Sequence, residues 1–166
     1  LDDSPADDFD ALAEAEAIAD AYIANGGPTV SHNGGDRAFY SPAKHSVHLP
    51  KQAQFECVEE YYSTKFHELV HSTGHESLLG RFEENSGPSH FGSENYSKEE
   101  LVAEFGNAFL SAEVGITDKT LDNSSAYIQN WLKALKGDYT LALTAASRAQ
   151  RAVDLILANR NELLPS

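Results

Sequence analysis

One cysteine, Cys57, and no methionine occur in 166 residues. A lone cysteine closes no internal disulfide. That removes the small disulfide-stapled class and suits a reducing, cytoplasmic compartment. Cations are also scarce: 12 Lys and Arg stand against 26 Asp and Glu, for a net charge of −14. Such a chain lacks the basic surface that displaces counterions from a nucleic acid, so no direct binding of DNA or RNA by this domain is expected. No apolar run is long enough to span a bilayer, so no membrane is expected as a partner, and the N-terminal stretch lacks the layout of a signal peptide. A chain that opens at Leu1 without methionine reads as a processed protein or an excised domain.

What is present suffices for one ordinary domain, with 41% apolar residues to form a core. Residues 1–8 read as an acidic disordered tail and residues 9–160 as a single domain. Acidity is concentrated between Asp2 and Asp20. It reads as a solvated tail and helix face, with an acidic DNA mimic or a partner-docking segment as the sharper alternative. Phe9, Leu12, Ala15, Ile18, Ala19, Tyr22 and Ile23 fall at helical spacing, and Asn25-Gly26-Gly27-Pro28 ends that helix. Thr29 to His32, Arg37 to Tyr40 and Ser46 to Leu49 read as short strands. Asn33-Gly34-Gly35-Asp36 and Ser41-Pro42-Ala43-Lys44 supply hairpin chemistry between them. Helical patterning returns from Gln54 to Thr73, stopped by Gly74, and again from Ser97 to Val114, stopped by Gly115. Between these helices, Ser77 to Ser93 reads as an irregular surface loop. Ser124 to Leu135 and Asp138 to Asn159 form a C-terminal helical pair, with Trp131, Ile128, Leu132, Leu135, Leu141, Val153 and Ile156 spaced for a buried face. The predicted class is α+β: an N-terminal helix, a small, mostly antiparallel sheet, then four helices.

One motif carries chemistry. His67-Glu68-Leu69-Val70-His71 is H-E-x-x-H. On a helix, positions i and i+4 stand one above the other, so two imidazoles can hold one Zn2+ ion. Glu68 is rotated off that face, where it can reach a water on the ion, whose pKa zinc brings towards neutrality; Glu68 is then the catalytic base. The bland alternative is a surface helix with two histidines and an incidental glutamate. A third ligand is required. A metzincin would place a histidine six residues after His71; here Gly74 is in place but the histidine is His75, only four residues on. Just past a helix-ending glycine, His75 reads as a hydrogen-bonding terminus residue, with a substrate-facing or ligand-supporting role as the second possibility.

Glu100 and Glu104 are the better candidates, one turn apart on the next helix. One can bind the ion while the other orients a ligating histidine through its second nitrogen. The E-x-x-x-E spacing resembles the gluzincin pattern, in which the first acid is the ligand, and so favours Glu100. Against this, Ser97 and Glu100 also spell a capping box, which would leave Glu104 as the ligand. Glu99 reads as a helix-start acid favoured by the dipole. Tyr96 can donate a hydrogen bond to an oxyanion, and Arg37 can anchor a turn or a carboxylate. His32, His45 and His48 lack ligand spacing, and Cys57 reads as a small core hydrophobe.

Several blocks together resemble the zincin-like metallopeptidase domain of ArdC-type antirestriction proteins and of phage and plasmid polyvalent proteins. They are His32 to Pro42, Tyr61-Tyr62, His67 to His75, Tyr96 to Glu104 and Ala126 to Leu132, and the resemblance runs from about Ala15 to Leu157. It implies zinc held by two histidines and a glutamate, with the motif glutamate catalytic. It also implies a larger parent chain with an N-terminal single-stranded-DNA-binding domain, and action inside a recipient or host cell. The family usually has an arginine near a leucine after the Gly-His block, where this chain reads Ser77-Leu78-Leu79-Gly80-Arg81. That leaves only Arg81 to take part of any substrate contact the family's arginine makes.

Three functions compete on these residues. One is a metal-dependent hydrolase cutting a protein or peptide, with an edge strand, Asp36 to Tyr40 or Ser46 to Leu49, pairing with extended substrate. Another is an antirestriction or partner-binding acidic module in which the metal is structural or not needed. A third is an effector or toxin-like peptidase with one protein target.

Overall fold

The computed structural model describes residues 5–82, 94–136 and 138–160. The elements are α1 (Pro5–Ala24), β1 (Thr29–Ser31), β2 (Phe39–Ser41), β3 (Ser46–His48), a 3-10 turn (Gln52–Gln54), α2 (Val58–Ser72), α3 (Glu94–Glu113), α4 (Thr117–Ala134) and α5 (Tyr139–Leu157). This is an α+β domain. Within the stretch expected to be a tail, α1 already begins at Pro5, and residues 1–4 lie outside the described residues.

The sheet departs from expectation. Its order is β1-β3-β2, with β1 parallel to β3 and β2 antiparallel to β3. Residues 33–36 therefore do not close a hairpin. Burial explains why: Val47 and Leu49, in and just after β3, are fully buried, so the most buried strand takes the centre and the more exposed β1 and β2 flank it. The Asn33–Asp36 segment instead folds back beside the end of β3. Gly34 N–H donates to Leu49 O at 3.1 Å, and Arg37 N–H donates to Gly34 O at 3.1 Å. A Cβ on Gly34 would lie 2.1 Å from Arg37 O, so only glycine fits there. The antiparallel turn at Pro42–His45 forms as expected, with His45 N–H donating to Pro42 O.

The core is helical. α3 lies centrally and packs against α2, α4 and α5. Phe66, Leu69 and Val70 of α2 meet Leu101, Val102 and Leu110 of α3 and Ala149, Ala152 and Ile156 of α5, all buried. Gly106 lets α2 and α3 approach closely: a Cβ there would come within 2.7 Å of Val70 Cγ2. Gly74 serves a similar purpose against the Phe82 ring, 2.7 Å from where its Cβ would stand. α2 itself ends one residue earlier, with Thr73 at its C-cap.

Other helix starts shift as well. α2 begins at Val58 rather than Gln54, which ends the 3-10 turn, and α4 begins at Thr117, after the left-handed Gly115 (φ +76°) and Ile116. α3 is already helical at Glu94, so Ser97 lies inside it, buried, and the alternative capping box of Ser97 and Glu100 does not form. Glu100 is thus released to face α2. Cys57 is also misplaced by the sequence reading: it is half-buried at the N-cap of α2 rather than in the core. Ile128, Trp131, Leu132 and Leu141 pack against the core part-buried, while Leu135, Val153 and Ile156 are buried in it. No helix among the described residues is long and apolar enough to cross a membrane.

Candidate metal centre

α2 presents His67 and His71 one turn apart, and the Gly106–Val70 approach brings α3 against that face. His67 Nε2 lies 3.2 Å from Glu100 Oε2, His71 Nε2 lies 3.0 Å from Glu100 Oε1, and the two Nε2 atoms are 3.1 Å apart. Two imidazole nitrogens and both oxygens of one carboxylate thus converge, and His67, His71 and Glu100 form a group able to hold a metal ion. The spacing fits such an ion: tetrahedral ligands at about 2.0–2.1 Å from zinc stand about 3.3 Å from one another.

The remaining nitrogens are also engaged. His67 Nδ1 lies 3.3 Å from Glu104 Oε1, and His71 Nδ1 donates to Glu99 Oε1 at 3.1 Å. Each imidazole therefore has a carboxylate behind it, which fixes the tautomer and ring direction that leave Nε2 aimed inwards. Glu99 was the residue sequence reasoning misread. With α3 starting at Glu94 it lies beyond the first turn, and it sits between His71 and Arg81. The available signal was its adjacency to Glu100. Neighbours on a helix lie about 100° apart, so when one faces the ion the other faces the flank.

Arg81 is buried and holds this flank together. Its Nε donates to Glu99 Oε2 at 2.9 Å and its Nη2 to Glu99 Oε1 at 2.7 Å, a bidentate pair. Nη2 also donates to Val70 O at 3.0 Å, and Nη1 to Thr73 Oγ1 at 2.8 Å. These bonds join the end of α2 to the beginning of α3. With its guanidinium so employed, Arg81 is an internal clamp and not a substrate contact.

Charge follows this geometry. Burial opposes an imidazolium at His67, yet hydrogen bonding to Glu100 and Glu104 outweighs it and raises its pKa well above the usual value. His71 is likewise opposed by burial but is raised to about 9 by Glu100 and Glu99. Burial pushes the Glu100 carboxyl upwards, but the two histidines more than reverse this and hold it well below the carboxylate range. Glu99 is lowered in the same way, with Arg81 and His71 overcoming its burial. In the metal-free protein the donor atoms therefore share protons, and a cation entering the site takes the protons' place.

Two recesses open from this point. One, of about 630 Å³, lies on the side of the sheet and is walled by Phe39, Tyr40, Phe82 and Tyr96, among others. The other, of about 240 Å³, lies towards α4 and is walled by Ser63, Thr64, Asn107, Asn123 and Tyr127, among others. His67, Glu68 and Glu100 line both. Glu68 is only 7% exposed and sits where the recesses meet. Tyr96 packs its ring against Trp131, with 5.7 Å between centroids, and burial, then the Glu100 charge, raises its hydroxyl pKa.

Other histidines are placed elsewhere. His75 Nδ1 bonds to Ser77 Oγ at 2.7 Å just past α2, outside the converging group. His32 pairs with Tyr61, His45 with Tyr40 and Gly26 O, and His48 with Ser46 and Asn33. β2 is an edge strand and lines the larger recess, whereas β3 is central and cannot accept a further strand. Arg37 is exposed. Residues 83–93 of the expected surface loop, with the remaining histidine His90, lie outside the described residues.

An H-E-x-x-H helix laid against a glutamate-bearing helix in an α+β domain is the architecture of a zincin-like protein. Residues 17–148 match the zincin-like metallopeptidase family MPTase-PolyVal, and the chain belongs to that family. The Mn(II)-bound crystal structure of the antirestriction ArdC protein from plasmid R388 superposes with a TM-score of 0.69 at 40% identity. It covers 92% of this chain and 54% of that one. The metal-free structure of the same protein gives 0.67 at 38% identity, over 92% and 52%. A DNA primase TraC of Escherichia coli is 42% identical over 140 residues, 84% of this chain and 13% of that protein. The protein y4eC of Sinorhizobium fredii is 34% identical over 153 residues, 91% of this chain and 48% of its own length. The chain thus spans about an eighth to a half of these curated relatives.

Proposed function

We propose that this domain is a zinc-dependent peptidase in which His67, His71 and Glu100 bind the ion and Glu68 is the general base. The observation that carries the proposal is the convergence of the two Nε2 atoms and the Glu100 carboxylate within 3.0 to 3.2 Å, beside a Glu68 that is not part of that group. Two imidazoles and one carboxylate form a donor set suited to zinc, and Mn(II), named in the ArdC structure, is also compatible with it.

When bound, the ion supplies Lewis acidity that polarises a carbonyl and makes a water a nucleophile at neutral pH. The chain supplies the rest. Glu104 and Glu99 hold the imidazoles in register. Glu68 takes a proton from the attacking water as the water oxygen bonds to the peptide carbonyl carbon. It then passes that proton to the departing nitrogen as the C–N bond breaks, leaving a carboxylic acid and an amine, which ionise to carboxylate and ammonium. In this reading Tyr96, which lines the larger recess and keeps its proton near neutrality, donates to the carbonyl oxygen as negative charge develops. The edge of β2 is the rail along which an extended substrate pairs.

The substrate in this reading is a protein or peptide. The domain does not itself bind nucleic acid or a membrane, and works in a reducing cytoplasm, its own or that of a recipient or host. Relatives longer than this chain support its place in a larger protein that carries DNA-binding elsewhere. The test is zinc content and proteolysis in wild type and Glu68→Gln. Wild-type protein that purifies without stoichiometric metal at neutral pH ends the proposal.

The charge of −14 and the antirestriction name of the ArdC structures favour a second reading. In it the acidic surface occupies a DNA-binding partner and catalysis is dispensable. Full biological activity in Glu68→Gln, lost when acidic surface residues are neutralised, selects that reading. Cleavage confined to one protein in a proteome digest selects an effector peptidase.

A further inference from the structure

The two recesses share His67, Glu68 and Glu100, so anything reaching from one to the other passes over the converging donor atoms. Their linings differ in side-chain type. The sheet-side recess carries Phe39, Tyr40 and Pro42 from the edge strand and its turn, with Phe82, Asn95 and Glu99. The α4-side recess is smaller and rich in oxygen atoms: Ser63, Thr64, Asn123, Ser124 and Tyr127 surround the buried Glu104. Among the described residues, neither recess has Lys or Arg in its walls. The Tyr96–Trp131 ring contact joins the two, Tyr96 lining one recess and Trp131 the other.

We infer that the two recesses read the residues on either side of the site. The sheet-side recess takes a bulky apolar or aromatic side chain, and the α4-side recess takes a basic one. This assignment deepens the peptidase reading and rests on it. Size supports the first half: about 630 Å³ admits the largest side chain together with adjoining backbone, and the rings of Phe39, Tyr40 and Phe82 favour apolar cargo. Charge supports the second half. Hydroxyl and amide oxygens can accept from an ammonium or guanidinium, and the recesses differ in free negative charge: Glu99 on the sheet side is neutralised by Arg81, whereas Glu104 on the α4 side has only His67 beside it among the described residues. Asn123 and Phe39 are the residues that set the preference. Both are exposed at the rims, where substitution leaves the core intact.

The experiment uses zinc-loaded protein and two sets of peptide hydroxamates. One set extends to each side of the zinc-binding group, with Phe, Lys, Ala or Glu as the variable residue, and affinity is measured by calorimetry. Phe is expected to bind at least tenfold more tightly than Glu or Ala in one direction, and Lys more tightly than Glu in the other. Phe39→Ala should weaken only the Phe preference, by about five- to tenfold. Asn123→Lys should abolish the Lys preference and Asn123→Asp strengthen it, neither altering the response to Phe. Equal affinity for all four residues in both directions, or an Asn123 charge effect in the same direction as the Phe39 effect, overturns the assignment. A mixed peptide library is digested in parallel. If side preferences appear in binding but no library peptide is cut, the recess assignment stands and the peptidase reading fails.

Discussion

Replacing Arg81 probes the least expected part of the site. Its guanidinium makes two bonds to Glu99 and two to the end of α2, and it is buried. Arg81→Met leaves the Glu99 carboxylate with only His71 beside it. Removing one partner of a buried ion pair costs about 3–5 kcal/mol. Glu99 keeps 16% side-chain exposure, so the lower end, about 3 kcal/mol, applies. For a chain of this size each kcal/mol moves Tm by about 2–4 °C, which gives a fall of about 6–12 °C in the metal-free protein. Metal binding reports the second effect. Once Glu99 no longer fixes the His71 ring, affinity should fall about 10- to 100-fold, or about 1.4–2.7 kcal/mol. Arg81→Lys separates the two. A point charge restores much of the stability but cannot hold both Glu99 oxygens and the Val70 carbonyl, so zinc affinity stays several-fold low. The assays are thermal melting of metal-free protein and competition with a chromophoric zinc chelator. Unchanged zinc affinity in Arg81→Met would refute the positioning of His71 through Glu99, whatever happens to Tm.

Glu68→Gln should bind zinc as wild type does yet lose about 10²- to 10⁴-fold in peptide hydrolysis, measured with a quenched fluorescent substrate. Gly106→Ala should lose about 1 kcal/mol in urea denaturation. The helix gains about 1 kcal/mol from alanine, but the new methyl meets Val70 Cγ2 and overpacking costs about 1–3 kcal/mol. Adding Val70→Ala should recover part of the clash, and strict additivity of the two changes would contradict this account. In metal-free protein the His71 contribution is complete below its ordinary value of 6.5 and is lost as pH rises through about 9, because its folded pKa is raised. Glu99 and Glu100 are lowered, so their contribution is present above the ordinary 4.5 and is lost as pH falls below it. Metal-free Tm should therefore peak between about pH 4.5 and 6.5 and decline towards 9, while zinc affinity rises over that decline. A flat melting profile from pH 6.5 to 9 would contradict the proton-sharing arrangement.

Helix count and order were legible because each helix has its own apolar period and a glycine or polar stop, which are local properties. The strand positions were legible for the same reason, but their pairing was not. Asn33-Gly34-Gly35-Asp36 has hairpin chemistry, yet β3 lies between its two neighbours because burying Val47 and Leu49 outweighs a local turn preference. The capping box at Ser97 failed similarly. The pattern is real, but the helix begins three residues earlier and Ser97 is buried within it.

The sequence by itself determined the H-E-x-x-H pair and the exclusion of a third histidine at metzincin spacing. It also narrowed the remaining ligand to two carboxylates one turn apart, since spacing along one helix is a property of the chain alone. Tertiary structure decided how the carboxylates divide. The close approach of α2 and α3 at Gly106 sets Glu100 against both Nε2 atoms and Glu104 behind His67. It also decided that Glu99 and Arg81 brace His71. Those contacts depend on the rotation of one helix against another and on residues 79–82 folding back onto the end of α2, which no residue spacing encodes.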